Sequence, residues 1–79
     1  MSKHFDQIIL NITIPIILRN RKKAPERCVR NLMEIGENMN AYMNADEKNQ
    51  VHQALQQLCI EGTQQQIIDY FYKIYMKEL

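Results

Sequence analysis

The stretch Asn44–Leu79, "NADEKNQVHQALQQLCIEGTQQQIIDYFYKIYMKEL", decides the fold. Asn44 is placed to cap a helix, and Glu47 three positions on completes a capping-box pattern, which satisfies two otherwise unpaired backbone N–H groups reciprocally. Behind that start, Val51, Leu55, Leu58 and Cys59 recur at helical spacing. Gly62 stands where this helix should stop, because glycine enters the left-handed region without steric cost. Thr63 follows at once with Gln66 three residues later, a second capping box. Two start signals around one stop signal leave only a very short connection, so residues 44–79 predict a helical hairpin.

The last helix is apolar on more than one side. Ile67, Phe71 and Ile74 form one stripe, Ile68, Tyr72, Tyr75 and Leu79 form another beside it, and Tyr70 lies outside both. Such a helix is covered by more than one neighbour. Tyr70, Tyr72, Tyr75 and Met76 are therefore the candidate partner-binding residues, being of the types that anchor protein interfaces.

Upstream, Pro25 suits the first turn of a helix, where its missing N–H is no loss, and Glu26 favours the positive end of the helix dipole. Cys28, Leu32, Ile35, Met39 and Tyr42 then repeat at spacings of three and four. Gly36 lies near that stripe at a cost of about 1 kcal/mol in helix propensity relative to Ala. A tolerated weak spot is the preferred reading there, ahead of close approach by a second helix. The segment "HFDQIILNITIPIILRN", residues 4–20, fits two patterns. Phe5, Ile8, Ile9, Ile12 and Ile16 suit a helix, whereas Ile8, Leu10, Ile12, Ile14 and Ile16 suit a strand, which β-branched residues favour. A lone strand has no partner in an otherwise helical chain, so the expectation is a helix kinked or ended near Pro15. Strand pairing between two chains is the alternative.

Seventy-nine residues is one domain, 1–79, and a chain this short buries only about 60% of its unfolded surface. Apolar residues at 46% and charged residues at 24% exclude the disordered class. No apolar run is long enough to span a membrane. The run Ile8–Leu18 has only Lys3 ahead of it and no small-residue cleavage site after it, unlike a signal peptide. The expected fold is all-α: a small three- to four-helix bundle with a C-terminal helical hairpin. Its expected core is Ile12, Cys28, Leu32, Ile35, Met39, Val51, Leu55, Leu58, Ile67, Phe71 and Ile74. The surplus apolar side chains Ile8, Ile9, Ile16, Ile17, Tyr70, Tyr72, Tyr75 and Met76 exceed what one such core covers, which predicts a homodimer or a bound partner protein. Cys28 and Cys59 fall on apolar helical positions and are expected to be reduced and buried, as small hydrophobes. That suits a cytoplasmic protein better than a disulfide-bonded one.

Net charge is +1, but residues 1–30 carry seven basic and two acidic side chains, and residues 31–79 carry three basic and seven acidic. Six of the ten basic residues, Arg19, Arg21, Lys22, Lys23, Arg27 and Arg30, fall within "LRNRKKAPERCVRN", residues 18–31. Arg27 and Arg30, three apart at a helix start, could together grip a phosphate or carboxylate. Nucleic-acid readers usually interleave aromatics or glycines with their basic residues, and this stretch has none. An acidic protein surface or a second copy of the chain is the preferred partner; phosphates of a nucleic acid are the alternative. "GTQQQIIDYFYKI" looks like the first helix of a helix-turn-helix, but that motif needs a recognition helix after it.

Nothing in the chain points to catalysis. His4 and His52 have no second ligand at metal-binding spacing, and two glycines cannot build a phosphate-cradling loop. No metal, cofactor or enzymatic role is expected. The expected function is that of a small non-enzymatic regulator, adaptor or chaperone-like domain that binds protein through apolar helix faces with a basic rim.

Overall fold

The computed structural model describes residues 3–39 and 42–76, with side chains from Phe5 on; the His4 side chain and Leu79 lie outside the described residues. The described chain is four helices with no strand. The first, α1, runs over residues 3–18 as Lys3–Ile8, a π-helical turn Ile9–Thr13, and Ile14–Leu18. Next come α2, Pro25–Met39, and α3, Ala45–Glu61. The last, α4, spans residues 64–76 as Gln64–Phe71 followed by a second π-helical turn, Tyr72–Met76. The Cα extents of 32 × 29 × 17 Å are those of a slab two helix layers thick.

The hairpin signals act as expected. Asn44 Oδ1 accepts the Glu47 N–H at 2.8 Å and Glu47 Oε1 accepts the Asn44 N–H at 3.1 Å. Thr63 and Gln66 repeat the pattern at 3.1 and 2.9 Å, so only Gly62 and Thr63 separate α3 from α4. Gly62 works differently from expectation. Its backbone is extended (φ −89°, ψ 173°), not left-handed. What the site uses is the missing side chain, since a Cβ there would lie 2.9 Å from the Leu58 carbonyl oxygen that accepts the Gly62 N–H.

Pro25 does begin α2. The segment before it is a ladder of turns, in which Arg21, Lys23 and Ala24 donate backbone N–H groups to Leu18, Asn20 and Asn20. The helix then buries Cys28, Val29 and Leu32 against α3 and α1. Gly36 is not a tolerated weak spot. A Cβ at that position would stand 2.5 Å from ring atoms of Tyr75, so the glycine is what lets α4 lay an aromatic ring on the α2 backbone.

The segment around Pro15 is helical and neither stops nor breaks there. The Ile14 N–H reaches back five residues to the Ile9 carbonyl, and this widened turn sits directly ahead of the proline, where a regular ladder would meet the missing donor and the ring. The extra residue also rotates the helix. Ile9, Ile14 and Leu18 point inward at 5%, 0% and 3% exposure. Ile12, expected in the core three positions after Ile9, is turned out to 53% exposure.

The π-turn in α4 does the reverse. A regular helix would carry Met76 away from the Phe71 face, but the widened turn returns it inward. Tyr75, one ordinary turn after Phe71, and Met76, returned by the widened turn, are core residues, 4% and 3% exposed, which corrects the expectation that they form an exposed interface. Phe71 and Tyr75 pack with ring centroids 4.9 Å apart. Of the other expected core residues, Cys28, Leu32, Val51, Leu55, Ile67 and Phe71 are buried, while Ile35, Met39, Leu58 and Ile74 are half-buried at its edge.

Candidate functional site

With the core assigned, Tyr42, Ile60 and Tyr72 are exposed on other segments, while four further apolar side chains are exposed together on one helix. Phe5, Ile8, Ile12 and Ile16, spaced by three, four and four, form a single stripe along the outer side of α1, with Ile12 and Ile16 more than half exposed. A cleft of about 290 Å³ runs beside it between α1 and α2, lined by Phe5, Ile8, Ile9, Thr13, Ile35 and Met39 among others. Arg19, three residues past Ile16, extends the same face with a charge. Exposed Lys22 and Lys23 follow in the turns at that end of the helix.

The six basic residues do not act as one group. Arg21 is half-buried and turned inward: its guanidinium donates to the carbonyls of Leu58 (3.4 Å) and Gly62, the open C-terminal end of α3. A cation there complements the helix dipole, and it adds a donor to the Gly62 carbonyl and a second one to the Leu58 carbonyl, which already accepts the Gly62 N–H. Arg27 lines a cavity of about 230 Å³ shared with Ile16, Ile17, Asn20, Cys28 and Asn31. Arg30, one turn on, lines a different cleft with Glu26, Glu34, Glu37, Met33 and His52. Arg27 and Arg30 therefore open onto separate depressions, and Arg30 shares its cleft with Glu26, Glu34 and Glu37. Arg19, Lys22, Lys23 and Arg27 remain as a basic rim at the α1–α2 corner.

Of the four expected aromatic and methionine anchors, Tyr72 alone is strongly exposed, at 47%. Tyr70 is half-buried, and burial raises its phenol pKa above the ordinary value. The Tyr75 hydroxyl is enclosed and has no hydrogen-bond partner among the described residues. Burial, with the charges of Glu37 and Tyr70 adding to it, pushes its pKa up to about 12.

The stripe on α1 was legible in the spacing of Phe5, Ile8, Ile12 and Ile16, but its side was not, because the π-turn decides which of two adjacent apolar faces points inward. Among the described residues no cluster of three or more His, Cys, Asp or Glu side chains is arranged to hold a metal, and no helix is long and apolar enough to cross a membrane. In the glutamine-rich stretch Gln57 donates to Glu61 at 3.1 Å and Gln65 to Asp69 at 2.9 Å, while Gln56 reaches across to Glu26 on α2 at 3.0 Å. No protein-family model, no curated protein and no solved structure matches this chain.

Proposed function

We propose that the protein is a non-enzymatic binding domain, a small helical bundle whose recognition element is the outer face of α1. The observation that carries this reading is the exposed stripe Ile8, Ile12 and Ile16, continuous with Phe5 and ending in Arg19, Lys22 and Lys23. Apolar residues at helical spacing beside a basic rim suit an amphipathic helix from a partner, its apolar side laid along α1 and its carboxylates meeting the rim. Covering four side chains that are about half exposed supplies roughly 1 kcal/mol each. Association costs at least ~4 kcal/mol, so the stripe alone supports only weak, transient binding. A stable complex must also fill the cleft beside Ile35 and Met39 or engage the rim.

The same domain acts as a regulator or adaptor by covering a partner's surface. A second copy of the chain is the simplest competitor for the face, because the segment after residue 30 carries the excess of acid.

The test compares wild type with Ile12→Glu/Ile16→Glu in sedimentation and in capture from cell extract with and without nuclease. Both substitutions are at exposed positions, so the fold should survive them. Capture of an acidic protein that survives nuclease, weakens with salt and is lost in the double variant supports the reading. Retained capture in the double variant sinks it. Material lost on nuclease treatment moves the role to Arg19, Lys22 and Lys23 on phosphates, with a salt slope of about 0.9 per contact on duplex. A wild-type dimer dissociated by the double variant makes the partner a second copy.

A further inference from the structure

Two thiols meet across the contact between α2 and α3. Cys28 and Cys59 are 3% and 0% exposed, and their sulfurs are 3.7 Å apart, with Cys59 donating to Cys28. Buried thiols in apolar surroundings are usually inert. Three features set this pair apart. The sulfurs are in direct contact, so a disulfide requires an approach of about 1.7 Å to the ~2.05 Å bond. Cys28 borders the 230 Å³ cavity between α1 and α2, whose other walls include Asn20, Arg27 and Asn31. That space is several times the ~30 Å³ share of one water molecule, enough for a small oxidant. Arg21, held on the Leu58 and Gly62 carbonyls, places a fixed positive charge beside the last turn of α3, where Cys59 lies.

We propose that Cys28 and Cys59 form a reversible redox pair oxidised by hydrogen peroxide, with Cys28 meeting the oxidant and Cys59 resolving it. Contact with the Cys28 sulfur lowers the pKa of Cys59, and Arg21 adds to that against burial. The same contact, burial and the Cys59 charge raise the pKa of Cys28, so the pair keeps its second proton. A shift of that one proton across the S–S contact places the thiolate on Cys28, the arrangement seen in the hydrogen bond. The Cys28 thiolate then takes one oxygen of peroxide. The O–O bond breaks, the departing hydroxide leaves as water with the proton the pair released, and Cys28 becomes a sulfenic acid. Cys59 attacks the Cys28 sulfur; the S–S bond forms, the S–O bond breaks, and the hydroxyl leaves as water with the Cys59 proton. In sum, two thiols and one peroxide give one disulfide and two waters, with two electrons passing from sulfur to oxygen.

The disulfide would tie the start of α2 to the end of α3 beneath Ile16 and Ile17, and stands independently of what α1 binds. The test treats the wild-type protein with a few equivalents of hydrogen peroxide under native conditions. Intact mass should fall by two hydrogens, peptide mapping should join the Cys28 and Cys59 peptides within one chain, the melting temperature should rise, and dithiothreitol should reverse all three. In Cys59→Ala, Cys28 should halt at a sulfenic acid that dimedone labels. In Cys28→Ala, Cys59 should react about tenfold more slowly or less. Circular dichroism checks that each variant is folded, and the wild-type measurement stands without them. Both thiols surviving peroxide that oxidises the urea-unfolded chain would overturn the proposal, as would a disulfide formed only between chains, or Cys59 reacting faster than Cys28.

Discussion

The first helix and the C-terminal hairpin are both rich in apolar residues and end up in opposite situations. The hairpin, α3 and α4, starts each helix with a reciprocal capping box and buries Val51, Leu55, Cys59, Ile67, Phe71, Tyr75 and Met76. In α1, Ile9, Ile14 and Leu18 are buried and a full second stripe is left in solvent. The difference is one of neighbours rather than of composition. Helix α4 has packing partners on α2, α3 and α1, whereas α1 lies at the edge of a slab 17 Å thick and can cover one side only. An apolar helix at an edge has an outer face available for another protein; an apolar helix in the middle is structure.

The sharpest way to break this contrast lies within α1 itself. Ile14→Ala should cost about 2–5 kcal/mol, a large part of the stability of a domain this size. Ile12→Ala, two residues away, should stay within about 0.5 kcal/mol. Urea unfolding followed by circular dichroism measures both. Equal costs would mean that the π-turn does not set the rotation of α1 in solution.

Gly36→Ala tests the crowded side. Its Cβ would meet the Tyr75 ring at 2.5 Å, so a loss of about 1–3 kcal/mol is expected. The loss should shrink in a Tyr75→Leu background, because the clashing ring is gone; strictly additive effects would place the ring elsewhere.

Thr63→Ala should cost about 1 kcal/mol through the lost cap. Asn11→Ala, which removes only an exposed 2.9 Å bond to Gln7 on α1, should change stability by less than about 0.5 kcal/mol. Similar values for the two would remove the distinction between a hairpin held by its caps and an edge helix held by packing.

A small effect of opposite sign is expected for Tyr75→Phe. The hydroxyl is buried with no partner among the described residues, so its removal should leave stability unchanged or raise it by up to about 1 kcal/mol. The effect also depends on pH. The folded-state pKa lies near 12, above the ordinary value of 10.0, so the neutral phenol's contribution is intact below pH 10 and lost as pH rises towards 12. Unfolding midpoints over that range should fall more steeply for wild type than for Tyr75→Phe.

Much of this was legible from local signals. Asn44 with Glu47, Thr63 with Gln66, and Pro25 mark three helix starts by chemistry that acts within four residues. The stripes Cys28–Leu32 and Val51–Leu55 follow the regular helical period, and those residues are buried. The two main errors share one cause. Ile12 was assigned inward and Met76 outward by a period that assumes i→i−4 bonding, and both lie in π-turns, where one extra residue per turn rotates everything beyond it. Pro15 hints at the first of these turns; nothing in "YFYKIYM" marks the second. The basic stretch divides for a related reason: whether Arg21 joins its neighbours or caps the end of α3 depends on a helix end 37 residues away.

By itself, the sequence determined that the chain is helical, where the hairpin turns, and that the two thiols sit on apolar faces, because caps, proline and short-range periodicity act over a turn or two of backbone. Tertiary structure decided which stripe of α1 faces outward, that Gly36 seats the Tyr75 ring, that Arg21 is structural while Lys22 and Lys23 are not, and that Cys28 and Cys59 touch. Each of these depends on how far a helix is rotated about its axis and on what stands opposite, and such choices are settled only when all four helices compete for the same small core.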